Sequence, residues 1–244
     1  MHDWSDSAGA DHPLRPETNA SLASPVVNAL RAWDRSPVTV ASVIPIVDEV
    51  RQRVVQVLHP WPTRDGPARW SEIAARVGVD RSALWPVASP SEYADAALEV
   101  SGGGAPRQGQ LESHIASALV DDLASATATP DDVLFLIWNG WAGVPYNRWP
   151  DAAEVDLAHR PSVLLRGPLT GLTANLSDLD DPVPGRWGAL LCWPVDRSWV
   201  MATEVDLPCT YVVGSPQLVE ALLEDARLES GRTGPEALVT QVPD

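Results

Sequence analysis

Val133-Leu134-Phe135-Leu136-Ile137-Trp138 is an unbroken apolar run held between Asp131-Asp132 and Asn139-Gly140. A strand with one wet face alternates apolar and polar residues. This run has no polar position, so it reads as a central strand buried on both faces. Just before it, Leu111, Ile115, Ala118, Leu119 and Leu123 recur at helical spacing and predict a helix over 110–126 that stops short of Pro130. Beyond it, 163–166 reads as a short strand. Segments 189–193 and 198–206 flank Pro194-Val195-Asp196-Arg197, whose Pro and Asp suit turn positions, and so form a hairpin. A strand over 211–213 then leads to Ser215-Pro216, an N-cap followed by proline at the first helical position. Leu218, Val219, Leu222 and Leu223 give that helix its buried face.

Upstream, Trp70, Ile73, Ala74 and Val77 line a short helix ended by Gly78. The stretch from Val38 to Leu58 is ambiguous. Ile46, Val47, Val50, Val54, Val57 and Leu58 fall near helical spacing, while the β-branched Val54-Val55 pair favours strand. Residues 1–37 are polar with little apolar periodicity and read as a disordered tail. The fold class expected is therefore α+β. It comprises one domain over 38–244, an antiparallel or mixed sheet of about five strands, and helices mainly on one face. Residues 38–100 are a candidate smaller subdomain before the glycine-rich loop 101–106.

Composition narrows the function classes. The chain has 244 residues, 45% of them hydrophobic and only 20% charged, which suits a packed core rather than a disordered whole. Every one of the 17 basic residues is arginine, so lysine-dependent chemistry is excluded: no Schiff-base lysine and no phosphate-loop lysine. The 33 acidic residues bring the net charge to -16, a field that repels phosphate backbones and anionic lipid and favours basic partners. No segment reaches the roughly 18 apolar residues of a membrane span, and the polar start of the chain lacks a signal-peptide core. A cytoplasmic location is expected, with Cys192 and Cys209 as buried reduced thiols.

The C-terminal half resembles an uncharacterised family of actinobacterial proteins with a tryptophan-rich "WP-DR-W" hairpin followed by a "TYV-GS" strand and a helix. The matching residues are Trp193-Pro194-Val195-Asp196-Arg197-Ser198-Trp199, Ala202-Thr203-Glu204-Val205-Asp206 and Thr210-Tyr211-Val212-Val213-Gly214-Ser215. Upstream, Leu58-His59-Pro60, Arg69-Trp70-Ser71-Glu72-Ile73-Ala74 and Phe135-Leu136-Ile137-Trp138-Asn139-Gly140-Trp141 are similar to the family pattern. The chain has Val213 where the family has glycine and Asn139 where it has an acid. The resemblance carries no established activity.

Eleven tryptophans are several times ordinary usage, and Trp61, Trp85, Trp149 and Trp193 each precede proline. The indoles either pack on the sheet or line a surface that attracts a partner's cations. The candidate binding surface drawn from the motifs comprises Trp138, Trp141, Trp193, Asp196, Arg197, Trp199, Glu204 and Asp206. Other constellations are weaker. Asp178, Asp180 and Asp181 lack the glycine and closing glutamate of a calcium loop, and His59, His114 and His159 lack metal-ligand spacing. Ser215 lacks a nucleophile elbow. Segment 70–85 superficially resembles a helix-turn-helix, but Pro86 truncates its second helix. No catalytic residue, metal or cofactor is assigned. The expectation is a non-enzymatic interaction module, of immunity type or regulatory, that shows an acidic Trp-rich surface to a basic protein partner and binds neither nucleic acid nor membrane. The competing expectation is a small-molecule binder or enzyme with a Trp-lined pocket.

Overall fold

A computed structural model describes residues 12–30, 38–46, 53–78, 98–99, 101–102, 104–141, 149–157, 160–174, 186–187 and 189–239. The run that opens the sequence reading is strand β6 (Val133–Trp138), and it lies in mid-sheet between β8 (Arg160–Gly167) and β10 (Leu191–Pro194). Its pairing is antiparallel on both sides, with Leu136 opposite Leu164 in one neighbour and Leu191 in the other. Alternate residues of this run go to opposite faces: Leu134 and Leu136 into one core, Val133, Phe135 and Ile137 into the other.

The sheet continues through β11 (Val200–Ala202), β12 (Cys209–Gly214), β2 (Arg53–Leu58) and β13 (Ser230–Thr233). On its far side, β1 (Arg15–Pro16) and β7 (Glu154–Leu157) share the outer edge of β8. Nine strands, all antiparallel in their pairing, thus replace the expected five. Besides β2, which falls in the ambiguous stretch, the extra strands β1, β7 and β13 are two to four residues long, and polar sequences such as Ser230–Thr233 carry no alternation to read. Their stability comes from the ladder they join.

Both faces are covered, which corrects the expectation of helices mainly on one. On one face lie α4 (Ser113–Ser125), α5 (Pro216–Glu224) and a 3-10 turn (Leu169–Thr173), burying Ile115, Leu119, Leu123, Leu218 and Leu222. On the other lie α1 (Ser24–Val27), α2 (Val40–Val43), α3 (Trp70–Val77) and the ribbon of β3 (Trp61–Thr63) with β4 (Gly66–Ala68). A doubly apolar central strand requires this arrangement, since an uncovered face would leave its leucines in water. One further ribbon pairs β5 (Gln110–Leu111) with β9 (Arg186–Trp187).

The expected tail is revised over residues 12–30, while residues 1–11 and 31–37 lie outside the described residues. Residues 12–30 lie on the sheet, with Leu14, Ala23 and Val26 buried. Glu17 explains their anchorage, because its backbone bonds Leu164 and Ala153 while its carboxylate meets Arg166 at 3.1 Å. Three scattered apolar residues are too few for a periodic signal, yet enough to seal a sheet edge. Of the ambiguous stretch, Val40–Val43 is helix α2 and Arg53–Leu58 is strand β2, which joins the same sheet as the C-terminal strands; Val47 and Val50 lie outside the described residues. Helices α3, α4 and α5 fall where the sequence predicts them. Gly78 ends α3 at φ 77°, and the Ser215 side chain accepts from Leu218 N–H to open α5.

Candidate functional site

The antiparallel hairpin β10–β11 divides the candidate surface in two. Its tip carries Trp193, Asp196, Arg197 and Trp199; its open end carries Glu204 and Asp206, beside Trp138 and Trp141 from the end of β6.

The tip is structural. Trp193 and Trp199 lie in opposite cores at 1% and 0% exposure, so neither is open to a partner. The Trp199 indole N–H donates to the Leu123 carbonyl at 3.0 Å and ties the hairpin to α4. Arg197, at φ 56°, is the last residue of a tight turn closed by its own N–H to the Pro194 carbonyl. Asp196 accepts from the Thr127 hydroxyl at 2.7 Å, Ala128 N–H at 2.8 Å and Ser198 N–H at 3.0 Å. Partial burial alone would raise its pKa, but these donors outweigh it and hold the carboxyl below its ordinary value. The motif charge therefore clamps two loops.

At the open end the pieces converge on Arg160, which no motif had singled out. Strand β8 starts with Arg160, and its guanidinium reaches Glu204 Oε1 at 2.8 Å and Asp206 Oδ2 at 2.6 Å. The same guanidinium carbon stands 5.4 Å from the Trp138 ring centroid, within cation–π range. Trp141 meets Trp138 edge to face, with centroids 5.3 Å apart. Gly109, at φ 64°, supports this corner by lacking a side chain: a Cβ there would sit 2.7 Å from both the Trp141 ring and the Val205 backbone. Four sequence candidates and one unforeseen arginine thus form one cluster.

The two acids differ. The Asp206 side chain is 70% exposed and that of Glu204 only 8%. Burial pushes the Glu204 carboxyl above its ordinary pKa, although Asp206 N–H and Arg160 both pull it down. Beside them, Leu30, Ser42, Val43, Leu157 and Leu190 wall a cavity of about 30 Å³ that also touches Arg160 and Glu204. That volume is far below the hundreds of cubic ångströms that enclose a drug-sized ligand.

A second polar group crosses the sheet near β2. His59 Nδ1 lies 2.7 Å from the Arg107 carbonyl and Nε2 lies 2.9 Å from the Thr210 hydroxyl, which in turn meets Thr203. A carbonyl only accepts, so Nδ1 carries a proton. Burial lowers the His59 pKa to about 4. Cys192 and Cys209 are buried free thiols, and burial raises the Cys209 pKa to about 11, so neither supplies a thiolate at neutral pH. Among the described residues no group of three or more His, Cys, Asp or Glu is placed to hold a metal ion, and no helix is long and apolar enough to cross a membrane. The acidic triplet Asp178, Asp180 and Asp181, together with His159 and segment 79–97, lies outside the described residues. No family model, curated protein or solved structure matches this chain.

Proposed function

We propose that this protein is a non-enzymatic interaction module that binds a basic protein partner through the acidic corner around Glu204 and Asp206. The observation that carries this reading is the corner itself, where an indole face and two carboxylates already hold a guanidinium. The net charge of -16 adds a long-range field that draws basic proteins in and turns nucleic acid away. Exposed Glu154 and Asp156 on the neighbouring edge strand β7 extend the same sign. The tryptophan part of the original surface shrinks to Trp138 and Trp141, since Trp193 and Trp199 are enclosed. The same reading places the protein in the cytoplasm and among the actinobacterial proteins with the "WP-DR-W" hairpin.

The alternative, a small molecule in a Trp-lined pocket, has less support. The cavity beside Glu204 is small and its other walls are mainly aliphatic.

Affinity capture from a host lysate, read by mass spectrometry, tests the proposal with wild type beside Asp206→Asn. Basic proteins should be enriched on wild type, elute as salt rises, and be held less by the variant. Equal recovery of acidic and basic proteins on both baits would overturn it.

A further inference from the structure

From the packing around Arg160 we infer that Trp138, Glu204 and Asp206 form a receptor for an arginine side chain of the partner, and that Arg160 occupies this receptor in cis until the partner's arginine displaces it. The inference rests on the proposed basic partner and names which cation the partner must present.

One feature, the aromatic face, favours guanidinium over a compact ammonium; the two carboxylates favour a cation. The Arg160 guanidinium carbon stands over the Trp138 ring at 5.4 Å from its centroid, within the roughly 6 Å reach of a cation–π contact. The same Arg160 nitrogen lies within 2.8 Å of Glu204 and 2.6 Å of Asp206, one carboxylate on the inner side and one at the rim. A compact ammonium can satisfy the two acids, but it lacks the flat π surface for the ring. The fit also has depth: Glu204 is enclosed, so its charge is screened little by salt, whereas Asp206 is open and gives the entry side.

Accessibility argues for exchange. The Arg160 side chain keeps 24% of its surface in water, so the receptor opens outward instead of being sealed in the core. Arg160 begins β8 and is tethered at its mouth, giving it a high effective concentration there. A competing arginine must overcome that advantage, so the wild-type protein binds more weakly than an opened one.

The test compares wild type, Arg160→Gln and Arg160→Lys by calorimetry against a short uncharged-framework peptide bearing a single arginine, and against its lysine counterpart, at fixed ionic strength. Arg160→Gln should bind the arginine peptide about tenfold more tightly than wild type and prefer it over the lysine peptide. Arg160→Lys should fall between the two. If the Gln variant gains equally for both peptides, or gains nothing, the receptor inference fails while the acidic-module reading stands. If no variant binds either peptide and capture also enriches no basic protein, both fail. Should Arg160→Gln be too unstable to titrate, thermal melts with N-acetylarginine amide or N-acetyllysine amide replace calorimetry. Selective stabilisation by the arginine amide supports the receptor, and equal or absent stabilisation overturns it.

Discussion

His59 carries a pH dependence of the folded state. Its ring is enclosed and neutral, and its pKa falls from the ordinary 6.5 to about 4. The unfolded chain therefore takes up the proton more readily. The histidine contributes stability that is complete above about pH 6.5 and is lost as pH falls towards 4. A shift of this size corresponds to about 3 kcal/mol across the window. Urea unfolding at stepped pH should show that loss in wild type, and His59→Gln, though less stable throughout, should show a flatter acid limb. An unchanged slope in the variant would exclude His59 as the cause. Asp196 illustrates why residue roles resist reading from sequence. Its place in a charged, tryptophan-flanked turn suggested recognition, whereas its oxygens are engaged by Thr127, Ala128 and Ser198. Those donors lie on a loop and on the turn itself, and nothing in their identity marks the meeting. Arg160 is the converse: it sat outside every motif and became the centre of the cluster, because only strand pairing brings it beside Trp138 and Glu204.

Among the elements, α3 is held by a distant side chain. Glu229 accepts from Trp70 N–H at 2.6 Å and from Ser71 N–H at 2.9 Å, satisfying two donors at the start of that helix from 159 and 158 residues away. Glu72 supplies the local half by accepting from Arg69 N–H. Glu229→Ala should cost about 1–2 kcal/mol in urea unfolding, more than Glu72→Ala, whose acceptor is exposed and replaced by water. Equal effects would count against the long-range cap. Helices α3, α4 and α5 were legible because apolar spacing and end residues such as Gly78 and Ser215 are local signals. The same holds for β6 and the β10–β11 hairpin; the four-residue α1 and α2 are too short to show a period. Strands β1, β7 and β13 were not legible, since their residues are extended by the neighbour they pair with rather than by their own pattern.

At the scale of the whole molecule, the charge of -16 opposes compaction as well as steering partners. Raising salt from low to near-molar levels screens that self-repulsion. The melting temperature should rise by about 2–4 °C for each kcal/mol gained, a shift that differential scanning calorimetry can follow. A fall would mean that surface ion pairs such as Arg227 with Asp121 outweigh the repulsion. The nine-stranded sheet has a further consequence for how the protein comes into being. Strand β2 finds both its neighbours, β12 and β13, only some 150 residues later in the chain. During synthesis at roughly 5–20 residues per second, its Val54, Val55 and Val57 would remain without a ladder for about ten seconds or longer. Folding must then close long loops before the core is complete, which makes it slow and leaves the valines of β2 exposed until their partner strands emerge.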